Sequence, residues 1–223
     1  MTRAVWALVT GGTGRVGSAI ALRLREEGYS VLAAGRADGN LSTVEGARSL
    51  VERAARELGG LDLVVHAASD GFAPKPFEQV DETDWDSAFG ATAKGAFFVA
   101  QAAAEHLRER RGLIVMIEDV AAYRPWPSFA PHCAAKAAQA MLTRVLARAL
   151  APEVRVCGIA PGPVAVDEDQ LERRAGETLL GRVGSPRDVA GAVLYLVRAD
   201  YVTGTTLVVD GGLLLETGGG SRA

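Results

Sequence analysis

Along the whole chain, short apolar runs rich in Val, Ile and Leu alternate with longer Ala-rich stretches whose apolar residues recur at helical spacing. That alternation constrains the fold more than any other feature. Continuous apolar runs suit strands covered on both faces, and strands separated by helix-length segments run parallel, because a parallel crossover needs about a dozen residues or more. The pattern predicts strands at Ala4–Thr10, Ser30–Gly35, Leu61–Ala67, Gly112–Glu118, Val154–Ala160 and Thr205–Asp210. Helices fill the intervals near 15–28, 43–59, 84–110, 129–150, 169–180 and 186–199. The 223 residues, 48% of them hydrophobic, suit one core-forming α/β domain over residues 1–212, with 213–223 as a C-terminal tail that frays towards its end. Ala93, Ala96, Ala100 and Ala103 form one stripe on the third helix, and small residues at that spacing allow close packing, across a subunit interface or on the chain's own sheet.

Charge and cysteine content narrow the partners. With 24 basic against 27 acidic residues and no basic stripe interleaved with aromatics, nucleic acid and anionic membrane surfaces are disfavoured. No apolar run approaches the roughly 18 residues that span a bilayer. Cys133 and Cys157 read as small buried hydrophobes, too few for a metal cage or a disulfide framework. The start of the chain shows no basic-then-apolar leader, so a cytoplasmic protein with a small-molecule ligand and no metal is the expectation.

Thr10-Gly11-Gly12-Thr13-Gly14-Arg15-Val16-Gly17 stands where the first strand runs into the first helix. A glycine-rich turn there lets the backbone approach a pyrophosphate, whose charge the helix N-terminus favours, and the doubly wound sheet is then of Rossmann type. A second strand ends about 20 residues on, at Ala33-Ala34-Gly35-Arg36, where an acidic side chain takes a ribose 2′-hydroxyl and a guanidinium a 2′-phosphate. Arg36 therefore favours NADP(H), while Asp38 close by keeps NAD(H) open.

These residues resemble the short-chain dehydrogenase/reductase family, from LVTGGTGRVG to VTGTTLVVDGG, and the landmarks between agree. His66-Ala67-Ala68-Ser69 stands at the family's Asn-Asn-Ala-Gly element, Asp84-Trp85-Asp86 opens the next long helix, and Pro161-Gly162-Pro163-Val164 matches the loop beside the nicotinamide. Arg15, Ser69 and Asp119 give the closest look to the pteridine reductase-like members. The resemblance implies that Gly11, Thr13, Gly14, Arg15, Val16 and Gly17 hold the pyrophosphate side and Arg36 the 2′-phosphate. It likewise implies that Ala67, Ala68, Lys136, Pro161, Gly162 and Val164 hold the ribose and nicotinamide, that 165–181 covers the substrate, and that the chain is a homodimer or homotetramer.

Two departures from the family pattern stand out. The family's Asn, Ser or Asp, Tyr and Lys fall on Thr92, Asp119, His132 and Lys136, so the only standard residues are the Lys and, in the pteridine reductase-like group, the Asp. An imidazole at the Tyr position is a credible proton donor near neutrality, with an unperturbed pKa of about 6.5, and His132 and Lys136 share a helix face at i, i+4. Tyr123, in the loop Tyr123–Pro127, lies close in sequence but is better suited to lining or covering the cleft. Secondly, from Arg36 to Asp62 is 26 residues, and a helix near 43–59 leaves too few for the strand and helix the family places there. About six strands are therefore expected, with one edge strand and its helix missing and the adenine side of the cleft more open. The chemistry implied is hydride transfer between NADP(H) and a carbonyl or pteridine-like C=N; the alternative is a silent dinucleotide-binding sensor or structural partner.

Overall fold

The computed structural model describes residues 5–70, 73–164 and 167–215. Six parallel strands, β1 (Trp6–Thr10), β2 (Ser30–Ala34), β3 (Leu63–His66), β4 (Leu113–Ile117), β5 (Arg155–Pro161) and β6 (Thr206–Val209), lie in the order β2-β1-β3-β4-β5-β6. Successive side chains on a strand point to opposite faces, and the sheet sorts its residues accordingly. Leu8, Val64, Ile114, Met116 and Val156 pack on one side with helices α2 (Val44–Leu58), α4 (Gly95–Arg108) and α5 (Ala130–Leu150). Val9, Val65, Val115, Cys157 and Ile159 pack on the other with α1 (Arg15–Glu26) and α7 (Pro186–Arg198). Both faces are thus covered, which is why the strands read as unbroken apolar runs.

Between β2 and β3 the chain makes one 3₁₀ turn, Arg36–Asp38, and then α2, so the edge strand counted as missing is indeed absent and β2 is the sheet's edge. Thr43 caps α2 by accepting a hydrogen bond from the Gly46 amide at 3.1 Å, and Asn40 Oδ1 accepts from the Ser42 amide at 2.9 Å. The alanine stripe faces inward: Ala96, Ala100 and Ala103 are buried in the core that α4 shares with α2. Leu213, in a turn at Leu213–Leu215, is buried too, and residues 216–223 lie outside the described chain.

Two helices differ from their sequence pattern. The long third helix divides into α3 (Glu82–Phe89) and α4, joined by a π-helical segment at Gly90–Lys94. His66 Nε2 binds the Ala91 carbonyl at 3.0 Å, within that widened turn. The helix expected over 169–180 is only α6 (Leu171–Gly176), preceded by a 3₁₀ turn at Glu168–Gln170. The Thr178 hydroxyl donates towards the Ala175 carbonyl at 3.0 Å and accepts from the Arg182 amide at 3.2 Å, which folds the chain into a turn instead.

Candidate active site

Every predicted site residue in the described chain lies at or just beyond the C-terminal ends of the strands, or on the helix turns that face them, where a parallel α/β sheet opens a crevice. A cleft of about 610 Å3 sits over the glycine turn, lined by Gly11, Thr13, Gly14, Arg36, Ala67 and Ala68 among the predicted residues. Its backbone is packed to the limit. Gly11 has φ +65°, and a Cβ there would stand 2.5 Å from the Ala67 carbonyl oxygen. A Cβ on Gly17 would overlap the Gly11 carbonyl, 2.7 Å from its carbon. Gly14 caps α1 with no side chain across the helix N-terminus, an end whose dipole favours an anion. These observations fit a dinucleotide phosphate at the turn.

Arg36 stands in the wall of this cleft and pairs with Asp70 at 2.9 Å. Asp38 does not line it; its carboxylate accepts from the Gly35 amide at 2.8 Å and from Arg53 at 2.8 Å, contacts that hold its pKa below the usual value. Arg15 and Val16 form the first turn of α1, where Arg15 pairs with Asp167 at 2.7 Å. Asp167 belongs to the segment expected to cover the substrate; Ala165 and Val166 of that segment lie outside the described residues. Sequence reasoning missed Asn40, Leu41 and Ser42, which line the cleft just before α2. The Asn-Leu-Ser-Thr sequence before a helix, a turn followed by a cap, was the signal that could have found them.

Beyond β4 two of the predicted catalytic positions, Asp119 and His132, come together. Asp119 Oδ2 is 3.5 Å from His132 Nε2, and Asp119 Oδ1 accepts the Ala121 amide at 2.7 Å. His132 is buried and lines a smaller cavity of about 200 Å3 with Thr83, Ser87 and Phe129. One turn further along α5, Lys136 is also buried; its ammonium donates to the Ile117 carbonyl at 2.9 Å and to Gln139 Oε1 at 3.1 Å. Burial lowers its pKa, against the opposing charges of Asp119 and Glu118. Thr92, in the π-helical segment, is buried and shares a hydrogen bond of 3.1 Å with Ser69, a residue of the cleft wall. Pro161 ends β5, Gly162 donates its amide to the Val209 carbonyl at 3.0 Å, and Val164 bridges to Gly184; none of the three lines the large cleft. Tyr123 points elsewhere, donating to Glu118 Oε2 at 3.1 Å. Glu118 is a buried carboxylate that also accepts from Thr143 at 2.6 Å and Thr206 at 3.0 Å.

His66 ties these parts together. Its Nδ1 is 3.1 Å from the Thr10 hydroxyl and its Nε2 donates to the Ala91 carbonyl, the tautomer that an acceptor-only carbonyl requires. Burial, partly offset by the hydrogen bond to Ala91, pushes its pKa down from 6.5 to about 4. Since the folded state binds fewer protons than the unfolded state between those values, stability rises with pH across this window and is lost as pH falls through it. Full protonation removes about 3 kcal/mol. Urea midpoints at pH 7 and pH 4 should differ accordingly, and His66→Asn should remove that part of the difference.

The family described as enoyl-(acyl carrier protein) reductase matches residues 38–214. A 3β-hydroxysteroid dehydrogenase of Eggerthella lenta is 33% identical over 95% of this chain and 94% of its own length. Among solved structures, a gluconate 5-dehydrogenase from Burkholderia cenocepacia, in complex with NADP and tartrate, superposes with a TM-score of 0.87 at 26% identity over 96% of both chains. A 7α-hydroxysteroid dehydrogenase complexed with NADH and 7-oxo glycochenodeoxycholic acid gives a TM-score of 0.86 at 25% identity, over 93% of both chains. A single-domain doubly wound sheet with a glycine turn at its first βα junction defines the broad class, a Rossmann-type α/β protein. Within that class, the chain belongs to the short-chain dehydrogenase/reductase family, whose members are oxidoreductases that use a nicotinamide cofactor. Among the described residues no helix is long and apolar enough to cross a membrane.

Proposed function

We propose that the protein is an NADP(H)-dependent oxidoreductase acting on a small molecule that carries a carbonyl or a pteridine-like C=N. The observation that carries the cofactor reading is the division of labour after β2: Arg36 lines the cleft while Asp38 is engaged with Arg53 and the Gly35 amide. A guanidinium facing the ribose suits a 2′-phosphate. NAD(H) is the second cofactor to test, since the solved relatives named above include one complex with NADP and one with NADH.

A bound nicotinamide supplies or accepts the hydride. The remaining work falls to the chain's own side chains. The glycine turn and the first turn of α1, with Arg15 and Val16, cradle the pyrophosphate, and Ala67 and Ala68 leave room for the ribose. The Lys136 ammonium has three N–H donors, two of them spent on Ile117 and Gln139, which leaves one for a ribose hydroxyl. Pro161, Gly162 and Val164 border the nicotinamide. Asp119 orients the polar atom of the substrate, and His132 exchanges the proton there, facing the Asp119 carboxylate at 3.5 Å. Thr92, held by Ser69, fixes the π-helical turn against the cleft wall. Exposed Trp85, Met141 and Val145 on α3 and α5 support a homodimer or homotetramer built through these helices.

The test is titration of the purified protein with NADPH and with NADH, followed by calorimetry or nucleotide fluorescence. Micromolar binding of NADPH, with weaker NADH, is the expected result. Binding of neither nucleotide overturns the reading, because the open adenine side would then have cost the chain its cofactor.

A further inference from the structure

Among the described residues that line the large cleft, Arg36 and Asp70 are the two that carry charge. Their positions follow from the sheet. Because the strand order is β2-β1-β3, the loop after β2 and the loop after β3 flank the end of β1, and the glycine turn lies between them. Strands spaced about 4.8 Å apart leave those loops about 10 Å from one another. The Arg36 side chain closes that gap, reaching Asp70 Oδ1 at 2.9 Å, so the ion pair straddles the mouth of the cleft. Its members are unequal: the Arg36 side chain is 83% exposed and that of Asp70 21%. Asp70 is the more buried partner, its Oδ2 3.7 Å from where a Cβ on Gly90 would stand, and Arg36 is a long arm reaching in from solvent.

We propose that Asp70 is a specificity-determining residue for the cofactor; this rests on the reading of the cleft as the nucleotide site. A 2′-phosphate that recruits Arg36 must first take it from Asp70, and then lies near a carboxylate of like charge. A ribose 2′-hydroxyl meets neither obstacle, and a carboxylate is the group that accepts its hydrogen bond. Discrimination between NADP(H) and NAD(H) is therefore set by the pair, and is narrower than Arg36 alone would make it.

Two probes that differ only in the 2′-phosphate isolate the effect: adenosine 2′,5′-bisphosphate and adenosine 5′-monophosphate. Each is titrated calorimetrically at physiological salt against the full chain, Asp70→Asn, Arg36→Ala and the double variant. An exposed ion pair is worth little in water, so the expected gain is about fivefold in affinity for the bisphosphate on Asp70→Asn, with the monophosphate changed less than about twofold. The gain should shrink below about twofold when Arg36 is alanine, because Asp70 then has no guanidinium to withhold and only its solvent-screened repulsion of the phosphate remains. An unchanged bisphosphate affinity overturns the proposal, as does an equal gain for both probes, which would make Asp70 a shaper of the cleft. An undiminished gain in the Arg36→Ala background overturns it as well, since plain repulsion would explain it. If neither probe binds any variant while circular dichroism shows intact folds, the nucleotide reading itself falls and the inference with it.

Discussion

His132→Ala should lower turnover of a carbonyl or pteridine-like substrate by about 100- to 10,000-fold, the range that a positioned general acid or base supplies. Affinity for NADPH should stay within about twofold, because His132 lines the smaller cavity and no part of the 610 Å3 cleft. That split between turnover and binding separates a proton-exchanging residue from one that merely fills space. A packing role would appear as a lower thermal midpoint with both parameters disturbed. His132→Tyr provides the second arm. It places the family's usual donor at the same helical position, with Asp119 and Lys136 unchanged and a cavity of about 200 Å3 beside it to take the larger ring. On the proposed chemistry His132→Tyr retains or raises activity. A wild-type protein that binds NADPH and turns over nothing until Tyr is introduced would contradict a catalytic His132. It would favour a silent nucleotide binder instead.

The parts of this architecture that were legible in the sequence are those set by local pattern or by counting. The four central strands announce themselves because each is buried on both faces, as Leu8 and Val9 are on β1, each in a different core cluster, whereas the edge strands β2 and β6 are only partly buried and read as strands from their apolar runs. The missing edge strand followed from the length between Arg36 and Asp62 once the helix near 43–59 was counted in it. What stayed hidden depends on partners distant in the chain. The π-helical segment at Gly90–Lys94 is bound up with a hydrogen bond from His66, 25 residues earlier. The counter-charge for Arg36 is Asp70, 34 residues away, whereas the nearer Asp38 is drawn off by Arg53. In the same way, the segment after Gly176 is tied into a turn by the Thr178 hydroxyl, which binds the Ala175 carbonyl and the Arg182 amide. At the site, Asp119 and His132, which the family resemblance set in one constellation, lie 3.5 Å apart, since β4 and the turn of α5 that faces it determine where both fall.

Gly17→Ala should abolish nucleotide binding, weakening NADPH by at least about 100-fold, and should lower stability by about 2–3 kcal/mol. The added methyl would stand on the Gly11 carbonyl. Relief by moving Gly11 is blocked from the other side, where even a Cβ at that residue would meet the Ala67 carbonyl oxygen at 2.5 Å and the Ala68 nitrogen at 2.7 Å. The glycine turn is therefore clamped between α1 and the end of β3. Its remaining direction of escape is outward, into the space over the helix N-terminus that the phosphates need. Gly191→Ala is the matched control: it lies within α7 with nothing inside 4 Å of where its methyl would stand, so replacing a helical glycine there should stabilise by up to about 1 kcal/mol and leave binding unchanged. Denaturation curves and NADPH titrations on both variants decide the matter. A Gly17→Ala protein that folds with wild-type stability but binds no nucleotide would place the whole effect in the cleft. One that loses stability yet binds NADPH as tightly as the wild type would show that this turn packs helix on strand and holds no phosphate.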